Sequence, residues 1–418
     1  MTSGTADGCG CRDYDLTRRS LLRGAGVAGA AGVTTSLVGD VLTASVFGAE
    51  PRGNVLVVLS QRGGVDGLSM VVPHAESAYY AARPSTAVPV GRLLHRDATF
   101  GLHPSLAPLS PLWRSGGFAA IHAVGLPAPN RSHFEAMEEL EDADPGSRDR
   151  VGWLNRLIGA LRQDELFEGV AVGSNVLPTS LIGPEDGLAL STPNSLATPY
   201  AGTALGTSVK RGLTEMYGTG GRPVQEAGRQ ALALARRGGR YTEAAQEGPR
   251  QGAVYPGSPL GASLRDAAAL IRSGLGVRAI AVDSGGWDHH VNVTGLMTSG
   301  LADLSGSLSA FFADLGRESS RVTVVTVSEF GRRLDENGSG GVDHGYGNAV
   351  LVLGAGVRGG RYYARWPTLS PGRQVEGDLA VTTDYRHVLG EIVRARFPSV
   401  DSSSVFPSAG YRRTGFML

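Results

Sequence analysis

Side chains able to hold a metal ion are concentrated in the segment SGGWDHHVN at 284–292. Asp288 and His290 are two residues apart, so they lie on the same side of the chain if this segment is extended. A carboxylate and an imidazole on the same side are a workable pair of ligands for one divalent ion. The segment therefore predicts part of a metal site.

A second segment, SEFGRRLDENGSGGVDHGYGN at 328–348, carries more residues of the same types. Glu329 stands near its start, and Asp343 and His344 follow a glycine-rich stretch. A plain surface turn needs Gly, Asn and Asp, but it does not need an ordered Glu followed by Asp-His-Gly. We therefore predict that this loop forms one wall of the same site.

Two arginines in this loop, Arg332 and Arg333, are candidates for contact with the oxygens of an anionic substrate. The simpler interpretation of the two is a solvated pair on the surface. Both interpretations stay open at the level of the sequence.

The residue types limit which ion such a site would hold. The cysteines of the chain, Cys9 and Cys11, both precede the apolar part of a predicted leader and would be lost with it, which leaves no thiolate ligand. Imidazoles mixed with carboxylates suit Zn²⁺ or Mn²⁺, and Ca²⁺ or Mg²⁺ where oxygen ligands dominate. We expect one or two divalent ions.

The elements that would position these residues alternate along the chain. Short apolar runs rich in valine predict strands covered on both faces, at 54–60, 116–125, 277–283, 321–328 and 348–354. Segments with apolar residues near the helical period predict helices, at 132–143, 151–163, 259–274, 294–316 and 383–397. This alternation predicts an α/β fold with a mostly parallel sheet, in which ligands bind beyond the carboxyl ends of the strands.

Candidate residues follow the first two predicted strands as well. Asp66 comes after a pair of glycines, which let the backbone turn tightly and approach a ligand. Ser132 begins a predicted helix, with Glu135 placed as its capping-box partner. A serine there is usually only a helix cap, and the alternative is a nucleophile beside a metal. His133, next to it, could support the site from a second layer.

The amino terminus predicts export. A Thr-Arg-Arg-Ser-Leu-Leu-Arg box at 17–23 precedes a Gly/Ala-rich apolar run, which matches a twin-arginine signal. We predict a leader over 1–49 and a mature domain over 50–418, with the twin-arginine translocase as a partner and a periplasmic or extracellular location. An uncleaved membrane anchor is the alternative, and it is weaker because glycines and Asp40 interrupt the run.

Composition excludes other classes. The 39 basic and 39 acidic residues balance, so no electrostatic signal for nucleic acid is present. Residues 170–258 are rich in Gly, Pro, Ser and Thr and include a basic helical stretch at 226–246. We interpret this region as an insertion or cap over the sheet.

Several of these motifs together resemble a known family. They are RGGVDGLSMVVP, YYAARP, FGLHPSLAPL, NRSHFEA, GGWDHHVN, VVTVSEFGRRLDENGSGGVDHGYGNAVLVLG and GGRYY, and they cover about 54 to 410. The sequence resembles the DUF1501 family, a set of exported bacterial proteins of undefined function grouped with the alkaline phosphatase and sulfatase superfamily.

The resemblance implies a three-layer α/β/α sandwich with a mostly parallel central sheet, similar to alkaline phosphatase. It also implies a metal-dependent hydrolase or phosphotransferase acting on a small anionic ester, with Ser132 in the place of the superfamily nucleophile. The positions that match the superfamily's metal ligands are Asp66, Asp288, His290, Glu329 and His344, with Asp343 as a further candidate.

The sequence also departs from the superfamily pattern. It has Glu329-Phe330 where Asp-His is usual, so one ion of a two-ion site could be missing. It has no Cys-x-Pro-x-Arg motif of sulfatases, which favours a phosphate over a sulfate ester. The alternative function is a non-catalytic exported binding or assembly protein that retains the fold.

Overall fold

The structure is a computed structural model that describes residues 53–147, 149–161, 167–196, 204–219 and 223–418. The predicted leader and its two cysteines lie outside the described residues.

The described residues form a large sheet, with strands in the order β10-β4-β9-β8-β1-β7-β5-β6 and with β11 paired to β4. Its strands are β1 Val55–Gln61, β4 Phe118–Gly125, β5 Gly169–Val172, β6 Gly187–Leu190, β7 Ala279–Ser284, β8 Val322–Val327, β9 Asn348–Gly354, β10 Arg361–Tyr363 and β11 Thr383–Asp384. A separate pair consists of β2 Val71–Val72 and β3 Gly101–Leu102. The five predicted strands are confirmed as β1, β4, β7, β8 and β9.

The sheet is mostly parallel, as predicted, except at one strand. β1 runs parallel to both β7 and β8, and β5 runs parallel to β7. β9 is antiparallel to both of its neighbours, β4 and β8. The start of β9 therefore lies at the same edge as the end of β8, so both ends of the loop 328–347 are held at the rim where the parallel strands finish.

The helices of the described residues include one close to each of the five predicted ranges. They are α1 Gly67–Met70, α2 Ser77–Ala82, α3 Ser110–Arg114, α4 His133–Asp142, α5 Trp153–Leu161, α6 Ala204–Tyr217, α7 Pro223–Gln246, α8 Pro259–Arg272, α9 Val293–Leu315, α10 Tyr385–Arg396 and α11 Ser402–Val405. Two of them begin at serine caps: the Ser132 hydroxyl accepts from the Glu135 N–H, and the Ser258 hydroxyl accepts from the Gly261 N–H. None of these helices is both long and apolar enough to cross a membrane.

Both faces of the sheet are covered, which explains the unbroken valine runs. Every residue of β1 is buried. Leu56 and Val58 share one core cluster with apolar residues of α4, α5 and α10. Since side chains alternate along a strand, Val57 and Leu59 face the other side of the sheet. α8 packs against β7 and β5.

The boundaries of the predicted insertion differ from those of the structure. Residues 169–172 and 187–190 form β5 and β6 of the main sheet, although most of them fall within the range predicted as a cap. Within the described residues, a compact unit separate from the sheet is found in 193–242. The two strands were missed because each has four residues and includes a glycine, which weakens the valine-rich signal used for the others.

Candidate metal centre

Asp288 lies at the centre of a group of imidazoles. After β7 the chain turns through Gly286, which has a φ of +86°, and Asp288 follows two residues later. The Asp288 Oδ1 atom is 3.0 Å from His290 Nε2 and 3.2 Å from His344 Nε2. The Asp288 side chain is 46% exposed, so the carboxylate is open to solvent and to a ligand.

His133 joins this group from the first turn of α4. Its Nε2 atom is 3.6 Å from Asp288 Oδ2, and its Nδ1 atom is 3.0 Å from Glu329 Oε1. Among the described residues, His133, Asp288 and His344 form a group whose ligand atoms all lie within 4.8 Å of one another. Ser132 caps the same helix, so capping holds the backbone that presents His133.

An oxygen atom faces the Nδ1 nitrogen of each imidazole in the group. His133 Nδ1 faces Glu329 Oε1 at 3.0 Å, His290 Nδ1 faces Asp343 Oδ1 at 2.7 Å, and His344 Nδ1 faces the carbonyl oxygen of Arg131 at 2.9 Å. These oxygens only accept, so each Nδ1 carries the proton and donates it. In the neutral ring each Nε2 then carries a lone pair, and His290 Nε2 lies 3.0 Å from His344 Nε2. The three lone pairs converge on the Asp288 carboxylate.

Metal-binding histidines in proteins almost always donate their other ring N–H to a carboxylate or carbonyl. The group around Asp288 has this arrangement at all three histidines. It brings together three nitrogen acceptors and one carboxylate, and acceptors that face one another repel unless a shared cation or proton lies between them. The donor set therefore fits a divalent metal, and three nitrogens with one oxygen suit Zn²⁺ better than Ca²⁺ or Mg²⁺.

The electrostatics of the group keep it ready for a cation. Burial alone would raise the pKa of Asp288, but the hydrogen bond and charge of Arg332 are the main causes that lower that pKa, to about 2. Burial is the main cause that lowers the pKa of His344 below its ordinary value. The carboxylate is thus ionised and the His344 ring neutral at neutral pH, which are the forms that bind a metal.

The glycine pair before Asp66 allows β1 and the Asp288 loop to approach each other. Gly63 has a φ of +120°, and a Cβ atom there would lie 2.6 Å from the Asp288 backbone nitrogen. The Gly63 N–H also donates to Glu329 Oε1 at 2.7 Å. This turn was predicted to approach a ligand; what it approaches is the backbone of the site.

Glu329 is buried and orients its neighbours. Its Oε1 atom accepts from both Gly63 and His133, and its Oε2 atom lies 3.1 Å from the Ser328 hydroxyl. Its side chain is only 3% exposed. The predicted ligand Glu329 is therefore placed behind His133, and Asp343 is placed behind His290 in the same way.

Asp66 does not join the group, although it was predicted to be a ligand. It is fully buried, and Arg83 donates to both of its oxygens, at 2.5 and 3.0 Å. Burial raises the pKa of Asp66, but Arg83 more than offsets this effect, so the pKa lies below its ordinary value. The ion pair stabilises the packing beneath the turn, because the same guanidinium donates to the carbonyls of Leu334 and Arg333.

The two predicted substrate-binding arginines have different environments. Arg332 is buried, and its guanidinium donates to Asp288 Oδ1 at 2.6 Å and to the carbonyls of Gly63, Gly64, Trp287 and Val342. It therefore positions Asp288 and joins three loops, instead of facing a substrate as predicted. Arg333 is 39% exposed and donates to the carbonyl oxygen of Glu376.

A model of one protein family matches residues 113–388 of the chain, which is more than half of its length. The chain belongs to the DUF1501 family. The family is described as a protein of unknown function. No curated protein matches the chain.

The sequence of this DUF1501 protein predicted only a supporting role for His133, whereas the structure places it in the group with Asp288 and His344. A usable signal was present, because a histidine directly after a helix cap is held by the first turn and points toward the rim. The carbonyl of Arg131 as an acceptor for His344 had no sequence signal, since any residue type supplies a carbonyl.

Proposed function

We propose that this protein is an exported metal-dependent hydrolase or phosphotransferase that acts on a phosphate ester. One observation carries the proposal: three imidazoles, each with its Nδ1 proton donated to an oxygen, direct their Nε2 atoms to one carboxylate. Charged groups aimed at a single point, at the rim where parallel strands end, are typical of a catalytic or binding site in α/β proteins.

The ligands of one ion would be His133, Asp288 and His344, with His290 as the neighbouring fourth group. When bound, a divalent ion polarises a phosphoryl oxygen and neutralises developing charge. The proposal is for a single ion, because Asp66 is held by Arg83 and Glu329 is held by Gly63 and His133. Zn²⁺ is the expected metal, and Mn²⁺ is the next candidate.

Ser132 is the proposed nucleophile. It is half-buried, directly precedes His133 and caps α4. Within the described residues its hydroxyl accepts a single long hydrogen bond, from the Glu135 N–H at 3.4 Å. The helix N-terminus favours the negative charge of a phosphate. In the proposed step the Ser132 oxygen bonds to phosphorus, the ester oxygen leaves, and the hydroxyl proton passes to a base, for which His290, oriented by Asp343, is the candidate.

The proposal includes two further expectations. The sheet, covered on both faces and with its reactive side chains on one rim, supports an alkaline phosphatase-like sandwich as the fold family. The twin-arginine box at 17–23 supports export to the periplasm or beyond through the twin-arginine translocase.

A second candidate function is favoured by the position of His290. Its Nε2 atom is 3.0 Å from both Asp288 Oδ1 and His344 Nε2, so it is placed to become a fourth protein ligand. Structural metal sites have four protein ligands, whereas catalytic sites keep one position open. With His290 bound, the centre would stabilise an exported binding or assembly protein without turnover.

The test combines metal analysis with an ester screen. Protein purified without chelator is expected to hold one zinc or manganese ion per chain, and a phosphate ester is expected to be hydrolysed faster than the matching sulfate ester. Ser132→Ala should abolish turnover and retain the ion, whereas Ser147→Ala, an exposed turn residue, should change neither. A protein that binds the ion but turns over no ester in the screen would support the binding protein. A folded protein without metal would refute both.

A further inference from the structure

A cavity of about 270 Å³ lies at the same rim of the sheet as the metal group. It is formed beside the carboxyl ends of β5 and β7 and the residue that follows β1. The charged groups that line it are Arg62, Glu141 and Asp283. Its volume is just below the range of about 300–1,000 Å³ of small-molecule sites, so it is suited to one small group.

The cavity is close to the proposed metal ligands. Arg62 directly precedes Gly63, whose N–H holds Glu329, and the Arg62 carbonyl accepts from the N–H of Trp287, next to Asp288. Glu141 is on α4, eight residues after His133, which is about 12 Å along the helix axis. An ester with phosphorus at the metal group could therefore extend its organic part into the cavity.

The three charged side chains are fixed in place. Arg62 Nη2 donates to Glu141 Oε1 at 2.6 Å, and Arg62 Nε donates to Asp283 Oδ1 at 3.1 Å. The Glu141 side chain is only 7% exposed, and its carboxylate also accepts from the backbone of Thr179 and Ser180. This network does not hold the metal group. Burying its charged side chains costs free energy, so we expect the network to have another function.

The cavity contains a hydrogen-bond donor and a hydrogen-bond acceptor that are available to a ligand. In the part of the chain that the structure describes, Asp283 Oδ2 and Arg62 Nη1 have no hydrogen-bond partner. Both side chains are partly exposed, Asp283 by 50% and Arg62 by 30%. The other walls are formed by Ser174 and Thr179 together with the apolar side chains of Ala171, Val172, Val176, Leu177, Pro178 and Ala281.

We propose that this cavity binds the organic group of the ester and that this group carries neighbouring hydroxyls, as in a polyol or sugar phosphate. A hydroxyl both donates and accepts, so one hydroxyl can donate to Asp283 Oδ2 while its neighbour accepts from Arg62 Nη1. Two carboxylates against one guanidinium repel a second anionic group. A purely apolar group would cover the free donor and acceptor without satisfying them.

This inference rests on the proposed function, and it is tested by binding without turnover. The probes are three phosphonates of equal chain length that cannot be hydrolysed: 3,4-dihydroxybutylphosphonate, butylphosphonate and 4-aminobutylphosphonate. Calorimetry on the metal-loaded mature protein measures the Kd of each. We expect the dihydroxy compound to bind about tenfold more tightly than the butyl compound, because it gains hydrogen bonds to charged groups.

Asp283→Ala is expected to remove this tenfold advantage and to leave the Kd of butylphosphonate unchanged. Asp149→Ala is the matched control, since Asp149 is also exposed and lies outside the cavity, and it should keep the advantage. Equal affinities for the dihydroxy and butyl compounds would overturn the inference while leaving the phosphatase proposal intact. Tighter binding of 4-aminobutylphosphonate than of the dihydroxy compound would also overturn the inference, because the cavity would then prefer a cationic group to hydroxyls. If no phosphonate binds the metal-loaded protein, the proposed function fails together with the inference.

Discussion

Two aspartates that follow strands of the same sheet have different environments in this protein. Asp66, after β1, and Asp288, after β7, each accept a hydrogen bond from a buried arginine, Arg83 and Arg332 respectively. Asp66 is fully buried and both of its oxygens are used by Arg83, whereas Asp288 is 46% exposed and its oxygens also face imidazoles. An arginine partner therefore does not distinguish a structural carboxylate from a candidate metal ligand. The exposure of the carboxylate and its other neighbours distinguish the two.

Arg83 and Arg332 also differ in the groups to which they donate. Arg83 neutralises Asp66 and connects it to the carbonyls of Leu334 and Arg333. Arg332 donates to several backbone carbonyls and uses one N–H to hold a single oxygen of Asp288. Removing an aspartate should consequently affect folding in the first case and the site in the second.

The largest expected effect is on the stability of the fold. Asp66→Asn leaves the Arg83 charge buried without its partner, so the free energy of unfolding should fall by about 3–5 kcal/mol. Asp288→Asn, compared in chelated protein, should cost less, because the carboxylate is 46% exposed and Arg332 keeps its hydrogen bonds to backbone carbonyls. Urea denaturation measures both values, and equal losses would contradict the comparison.

The second expected effect is on metal affinity. His344→Gln removes a converging lone pair, and the affinity for zinc should fall by more than about 100-fold, since even supporting residues contribute 10–100-fold. His289→Gln is the matched control: His289 adjoins the site residues, but its Nε2 atom contacts the carbonyl of Gly286. Competition with a chromogenic chelator measures the affinities. A similar loss in both variants would remove His344 from the ligand set.

The third expected effect is a smaller loss of metal affinity on substitution of Glu329, the buried carboxylate that accepts from His133. Glu329→Gln replaces a carboxylate that accepts from both Gly63 and His133, so the fixed tautomer of His133 is weakened. Metal affinity should fall about 10–100-fold while one ion per chain is still bound at saturation. Complete loss of the ion would instead make Glu329 itself a ligand.

The smallest effect is expected at Asp343, which supports His290 from the surface. Its side chain is 52% exposed, and solvent can replace its hydrogen bond. Asp343→Asn should therefore lower metal affinity less than Glu329→Gln does, by about tenfold or less. The same titration measures this variant. A larger loss than that of Glu329→Gln would mean that His290 is the dominant ligand.

Much of the fold could be predicted because its signals are local. The strands β1 and β8 are continuous apolar runs that any sheet covered on both faces would bury. The start of α4 followed from Ser132 and its three-residue spacing to Glu135. The antiparallel direction of β9 could not be predicted, because strand direction depends on how the loop 328–347 folds back and not on the residues of the strand.

The candidate site was predicted in part for the same reason. Asp288, His290 and His344 were found because they are reactive residue types clustered in short segments near strand ends. Asp66 had the same local pattern, and its partner Arg83 lies 17 residues further along the chain. No spacing rule connects the two, so the sequence could not distinguish a structural pair from a candidate metal ligand.

The sequence by itself determined the residue types, the elements and the edge of the sheet where they meet, because hydrophobic pattern and capping act over a few residues. The tertiary structure alone decided which carboxylate is neutralised by an arginine and which stays exposed among imidazoles. It also decided which oxygen atom faces the Nδ1 nitrogen of His133, His290 and His344. The physical reason is that burial and hydrogen-bond partners are set by residues far apart along the chain, such as His344 and Arg131, which are 213 positions apart.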